Sequence, residues 1–293
     1  DLWMKIGTTQ RRLNLWDESI ASYKKVMRFE PENLMAVNVL LETLNNTGDW
    51  EDALVLVDDM LKSDLGDDGV FSARKAMIVT RWLGDIDQAS ELLHEHELSS
   101  DLLQIFALLA NRFYQHDLNG LLADFEKPEV KFLLESLTVW TANPLFAIGE
   151  AHAVLGDFTD ALPYLQRAET DLQQQIKETN PSNLYAQPFH YSSLAIIQAY
   201  LGKEEKSLTA MRRSMQLLPL SRDYLFGTGI LVSSARTLTI LGKQDEAIDQ
   251  LEHLVKLPAG LTIWELRLHP QWDPLRENPR FQELVARDPL TQL

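Results

Sequence analysis

The sequence predicts an all-α protein: a right-handed α-solenoid of helix–turn–helix repeats with a Pro-rich C-terminal cap. Three observations carry that prediction. A Gly turn is written five times, as TGDW at 47–50, GDIDQAS at 84–90, GDFTDAL at 156–162, GKEEKSL at 202–208 and GKQDEAI at 242–248. The turn glycines stand 36, 72, 46 and 40 residues apart, and Gly120 falls at the midpoint of the 72. A period of roughly 34–40 residues marks a stacked helical array. Apolar residues on both sides of each turn recur at helical spacing.

The unit around Gly48 shows how each element is justified. Upstream, LMAVNVLLETLNNTG sets Val37, Leu40, Leu41 and Leu44 on one helical face. Downstream, DWEDALVLVDDMLK does the same with Trp50, Ala53, Leu54, Val57 and Met60. The Gly supplies the left-handed residue that ends the first helix. Asp49, Asp85 and Asp157 follow their glycines and are expected to cap the second helices. Trp50, Ile86 and Phe158 come next and pin the turns. Ala53, Ala89, Ala161 and Ala247, with Ser207 in the same place, are small where two helices are expected to cross closely. Asn14 takes the turn position in the first unit.

About six or seven such pairs are expected, with first helices lining the inside and second helices the outside. Residues 1–103 read as three repeats, 142–261 as three more, and 262–293 as a capping segment. Residues 104–141 read as a degenerate repeat or helical insert: Pro128 stands where a second helix is due, and Phe125 holds the small-residue position. The stretch QQQIKETNPSNLYAQPFH at 173–190 lengthens one unit and reads as a longer helix and loop. At the C-terminus, Pro270, Pro274 and Pro279 break the period. Asn278 before Pro279 is a helix start. Trp272, Leu275 and Phe281 are expected to fold back on the last repeat as a stability cap.

Composition narrows the function classes. The chain has 293 residues, a net charge of −16 and no cysteine. Disulfides and thiolate chemistry are therefore excluded. Between Glu42 and Asp101 there are 15 acids against 4 bases, a balance that repels phosphate backbones. No nucleic acid is expected to bind directly. Neither a signal peptide nor a membrane span is evident. Tyr224–Leu241, the most apolar run, carries Arg236 with Ser and Thr and reads as a buried helix. The opening DLWMKIG lacks an initiator Met, as in a fragment or processed form of something longer.

These spacings resemble the tetratricopeptide repeat, a helix–turn–helix unit of 34 residues. In the first repeat Trp3, Ile6, Gly7, Ser19, Tyr23, Val26 and Pro31 stand at family spacing. The repeat at 142–175 offers Leu145, Ile148, Gly149, Gly156, Ala161, Leu165 and Ala168. Those at 188–221 and 228–261 offer Leu194, Ala195, Gly202 and Pro219, then Ser234, Ala235, Gly242 and Ala247. Six sets are in register, and the resemblance covers nearly the whole chain. The ending LTIWELRLHPQWDPLRENPRFQELVA is similar to that of tetratricopeptide regions in certain bacterial signalling proteins. Those carry an adenylate cyclase, a Ser/Thr kinase or a winged-helix DNA-binding domain at the N-terminal end. The resemblance implies a sensory or interaction part of such a protein. The family's clamp for C-terminal carboxylates uses Lys and Asn at positions held here by Met4, Thr8, Val39, Phe71 and Lys75, so that mode is disfavoured.

No residues are singled out as catalytic, cofactor-binding or metal-binding, and no cofactor is expected. GTGI at 227–230 lacks the Lys and the strand of a phosphate loop. HEHE at 94–97 puts His94 and His96 on different faces and reads as the end of a solvated acidic helix. His152 and His190 stand isolated. The expected function is a non-catalytic protein-interaction or regulatory module. The alternatives are a free-standing scaffold or adaptor, and a piece of an enzyme whose catalytic domain lies elsewhere. A cytoplasmic location is expected, or else an extracytoplasmic domain of a membrane-anchored regulator. The expected partner is a protein or peptide, an acidic segment in particular. Its candidate contacts on the concave face are Arg11, Arg12, Asn38, Asn45, Arg74, Lys75, Arg81 and Arg236. The second helices instead carry Glu51, Asp52, Asp58, Asp59, Glu91 and Glu95. Two readings stay open for the lining: it grips an acidic ligand, or it pairs with acids on neighbouring repeats.

Overall fold

The computed structural model describes residues 2–63, 65–99, 101–136, 144–180 and 183–289. Among these the chain is all-helical, with no strand. The helices up to the middle of the chain are α1 (Leu2–Arg12), α2 (Trp16–Phe29), α3 (Leu34–Thr47), α4 (Trp50–Leu61), α5 (Asp68–Leu83), α6 (Ile86–His94), α7 (Leu102–Tyr114), α8 (Leu118–Phe125) and α9 (Pro128–Ser136). The rest are α10 (Pro144–Val154), α11 (Phe158–Glu178), α12 (Ala186–Tyr200), α13 (Glu204–Leu217), α14 (Tyr224–Ile240), α15 (Gln244–Leu254), α16 (Ile263–Leu268) and α17 (Pro279–Val285), with a 3₁₀ segment at Pro270–Leu275. No helix of the described residues is long and apolar enough to cross a membrane.

Five helix pairs turn at a left-handed Gly, with φ between 69° and 95° at Gly48, Gly84, Gly156, Gly202 and Gly242. Asn14 holds the same conformation between α1 and α2, at φ 63°. Between α7 and α8 the position falls to His116, at φ 56°, and not to Gly120. Gly120 lies inside α8, where its N–H donates to the capping Asp117 carboxylate at 2.8 Å. Two of the three expected acid caps form: Asp85 accepts from Gln88 N–H at 2.9 Å and Asp157 from Asp160 N–H at 3.3 Å. Asp49 makes no cap bond, because its carboxylate takes the Thr47 hydroxyl instead.

The small residues sit where two helices meet. Ala53, Ala89, Ala161, Ala247 and Ser207 have no exposed surface. Ser19 and Ser207 donate their hydroxyls across the pair to the carbonyls of Gly7 and Ala195, at 2.8 and 2.7 Å. Such a bond satisfies a buried hydroxyl that would otherwise be costly. A Cβ on Gly7 would come within 2.6 Å of the Tyr23 ring, so the first pair is closed as tightly as glycine permits.

Pro128 does not interrupt a helix. The second helix of this region is cut short at Phe125, and Pro128 opens α9, where its missing N–H costs nothing. Phe125 is buried among Ile105, Leu121 and Val130 in a small core of its own. The lengthened unit appears as α11, at 21 residues the longest helix described. Part of the loop after it, at 181–182, lies outside the described residues, as do positions 142–143 at the start of the repeat read at 142–175.

Most helices pack on their sequence neighbours, and the first helices of successive pairs also adjoin, as α5 with α7 and α12 with α14. Two further contacts bring the ends together: α1 meets α14, and α16 meets α5. At the first, Arg12 donates to the Tyr185 hydroxyl at 3.1 Å, and that hydroxyl donates to Asp223 at 3.1 Å. The Arg12 guanidinium also stands 5.3 Å from the ring centres of Tyr185 and Phe226. At the second, Trp264 lies against Gly84, and the Ala259 N–H donates to the Asn46 carbonyl at 2.7 Å.

The C-terminal segment buries its large residues as expected. Trp272 and Leu275 have no exposed surface and Phe281 has 1%. They join Leu251, Leu254 and Ile248 of α15 in one core. Asn278 caps α17 by accepting from Arg280 N–H at 3.0 Å, with Pro279 in the first turn. The segment does more than close the last pair, because α16 also reaches across to α5.

Candidate functional site

The eight candidate residues lie on α1, α3, α5 and α14, and the cations among them are engaged within the chain. Arg11 stands 3.0 Å from Glu42. Arg12 belongs to the cluster with Tyr185 and Asp223. Arg74 donates Nε to Asn38 at 2.9 Å, and burial lowers its pKa. Lys75 pairs with Asp58 of α4 at 2.8 Å. Arg81 donates to the Gly260 carbonyl at 3.1 Å and stands 3.7 Å from Glu265. Arg236 pairs with Glu150. Burial opposes the Arg236 charge, but the Glu150 carboxylate outweighs it and the pKa is raised. Asn45 is buried, and its side-chain oxygen has no hydrogen-bond partner. Of the two readings left open for the lining, internal pairing is the one these distances describe.

Two adjacent cavities share a wall on α7. The first, about 300 Å³, lies between α5, α6 and α7, with Tyr114, Arg81 and Glu265 on its wall. Burial raises the pKa of the Tyr114 phenol, and Glu265 adds to the effect. The second, about 360 Å³, lies between α7, α10, α12 and α14. Phe106 and Ala110 of α7 contribute to both. Aromatic and aliphatic side chains dominate the second wall, and its polar groups include Glu150, Arg236 and His269.

His269 sits between α16 and the 3₁₀ segment. Its Nδ1 accepts from the Gln271 N–H at 3.2 Å, which leaves the proton of the neutral ring on Nε2. The ring stacks on Phe113 at 5.2 Å and meets Tyr114 edge-on at 5.6 Å. Burial, with lesser contributions from Arg236 and His116, pushes its pKa down to about 3. It is therefore uncharged at neutral pH. Sequence reasoning missed His269 because HPQWDP reads only as a cap; the His before a Pro-led turn was the available signal.

Other side chains regroup as well. His94 binds the Ser90 carbonyl through Nδ1 at 2.7 Å, as at an ordinary helix end. His190 meets Thr179 at 3.3 Å. His152 is not isolated: its Nδ1 lies 3.5 Å from Asp157, and with Asp160 the three offer ligand atoms within 4.8 Å of one another. Their spacing across the Gly156 turn was the legible sign. Asp157 already caps α11 and Asp160 is exposed, so the group is built first as a helix start. No family model matches the chain, and a search of curated proteins finds no match.

Proposed function

We propose that this chain is a non-catalytic protein-interaction or regulatory module of the tetratricopeptide kind, a right-handed α-solenoid. In this reading it forms the C-terminal part of a bacterial multidomain signalling or transcription-regulatory protein. The observation that supports it is the repeated pair: a left-handed turn followed, five residues on, by a fully buried small residue at Gly48/Ala53, Gly84/Ala89, Gly156/Ala161, Gly202/Ser207 and Gly242/Ala247. A stacked array of this kind offers an extended surface for a partner, so the function rests on the fold and not on a reactive site. Reading the coding sequence upstream of Asp1 tests the proposal. An in-frame cyclase, kinase or winged-helix domain is expected. An initiator Met directly before Asp1 would replace this reading with a free-standing adaptor.

The acidic-segment ligand has its own test. Arg74→Glu with Arg81→Glu reverses two cations of the lining. Since Arg81 and Glu265 are each only 15% exposed, breaking that tie is expected to cost about 3 kcal/mol. The expected result is therefore a clearly lowered melting temperature. A double mutant that melts like the wild type but loses its partners in a pull-down would instead restore the acidic-ligand reading.

A further inference from the structure

The second cavity carries two donor groups, on Arg236 and His269, in a largely apolar wall. One terminal nitrogen of the Arg236 guanidinium is used on Glu150, and its other nitrogens have no acceptor among the described residues. The His269 Nε2 proton likewise has no protein acceptor there, since only Nδ1 is engaged. Both groups therefore have N–H capacity left for a ligand acceptor. Charge, by contrast, is balanced. Arg236 and Glu150 neutralise each other, and His269 is neutral. The rest of the wall is mostly apolar, with Phe106, Phe146, Phe189 and Ile196, and adds the hydroxyls of Ser192, Ser193 and Ser233 and the Gln271 amide.

We propose that this cavity is a binding site for a neutral small molecule with an aromatic or aliphatic body and a carbonyl oxygen that accepts from His269 and Arg236. A volume of about 360 Å³ lies at the lower end of the range for small-molecule sites. An ionised ligand would lose its hydration with no uncompensated counter-charge to meet it. A hydrocarbon lacking an acceptor would leave the donors unpaired. Occupancy would also bear on the closed arrangement. His269 follows α16, which packs on α5, and its ring stacks on Phe113 of α7. A ligand held by His269 therefore biases the junction between the two ends of the chain.

Prodan, a neutral aminonaphthalene ketone, is a suitable probe. Saturable one-to-one binding with blue-shifted emission is expected. The analogue in which a methylene replaces the ketone should bind about tenfold more weakly, the cost of leaving buried donors unpaired. His269→Asn keeps the cap on Gln271 but shortens the side chain, and should narrow that tenfold gap. Ala147→Trp, on the cavity wall, should abolish binding while leaving the helical spectrum unchanged. Equal affinity for ketone and alkyl probe in the wild type would overturn the proposal, as would a folded Ala147→Trp that still binds. If that variant fails to fold, the probe pair decides the matter. Failure here would leave the interaction-module reading untouched.

Discussion

Deletion of residues 260–293 is expected to give a protein that melts early and aggregates. Trp272, Leu275, Phe281 and Leu284 are at most 1% exposed and share a core with α14 and α15. Their removal uncovers the apolar face of the last helix pair, the kind of patch that drives association. It also removes Gly260 and Glu265, the partners of Arg81 in the N-terminal half, so the loss is felt at both ends of the chain. A single substitution isolates the first effect. Trp272→Ala should cost about 3 kcal/mol, the range for truncating a large buried aromatic residue. At this chain length that corresponds to a fall in melting temperature of roughly 6–12 °C. Trp272→Phe should cost less than half as much, because the indole N–H is buried without a partner and its removal frees the protein of that penalty. Thermal denaturation followed by circular dichroism reads all three. A truncated chain that stays monomeric and melts like the full-length one would show that the segment is a detachable tail.

The features that the sequence made legible are local ones. A left-handed turn needs Gly or Asn, so Gly48 and Asn14 announce themselves. The small residue five positions after each Gly is legible because only a short side chain fits a close crossing. The α7–α8 turn was misplaced onto Gly120 because spacing was the sole guide. His116 adopts the strained conformation instead, and Asp117 reinforces it by capping α8.

What stayed hidden is long-range. Arg12 and Tyr185 are 173 residues apart, and Arg81 and Gly260 are 179 apart. No periodicity encodes such pairs. The first helices of the pairs were identifiable from the turn spacing, and their arginines with them. The acids and carbonyls that occupy those arginines come from elements placed opposite by the packing of the whole chain. A basic lining inferred from one face of a helix therefore overstates the charge left free for a ligand. The same limit applied to the second cavity, whose walls come from six helices and the C-terminal turn.

Ala53→Trp and Ala161→Trp are expected to be severely destabilising, and each tests the construction of its own pair. Both alanines have no exposed surface, and each stands on the second helix of a pair, facing the first. An indole there cannot be met by a side-chain rearrangement alone, because Cβ is already enclosed; the helices must separate. Overpacking of a well-filled site costs roughly 1–3 kcal/mol for a few added methylenes, and an indole lies beyond that range. Separation would propagate, since α4 also packs on α5 and α11 on α12. Val55→Trp is the control. It adds an indole to the same helix α4, at a residue 62% exposed, and should leave the melting temperature nearly unchanged. The expected ordering is Val55→Trp close to wild type, with Ala53→Trp and Ala161→Trp unfolded or melting at least 10 °C lower, about 3 kcal/mol at this chain length. If both alanine variants melt with the control, those two residues do not mark close crossings, and the repeat register that rests on them is wrong.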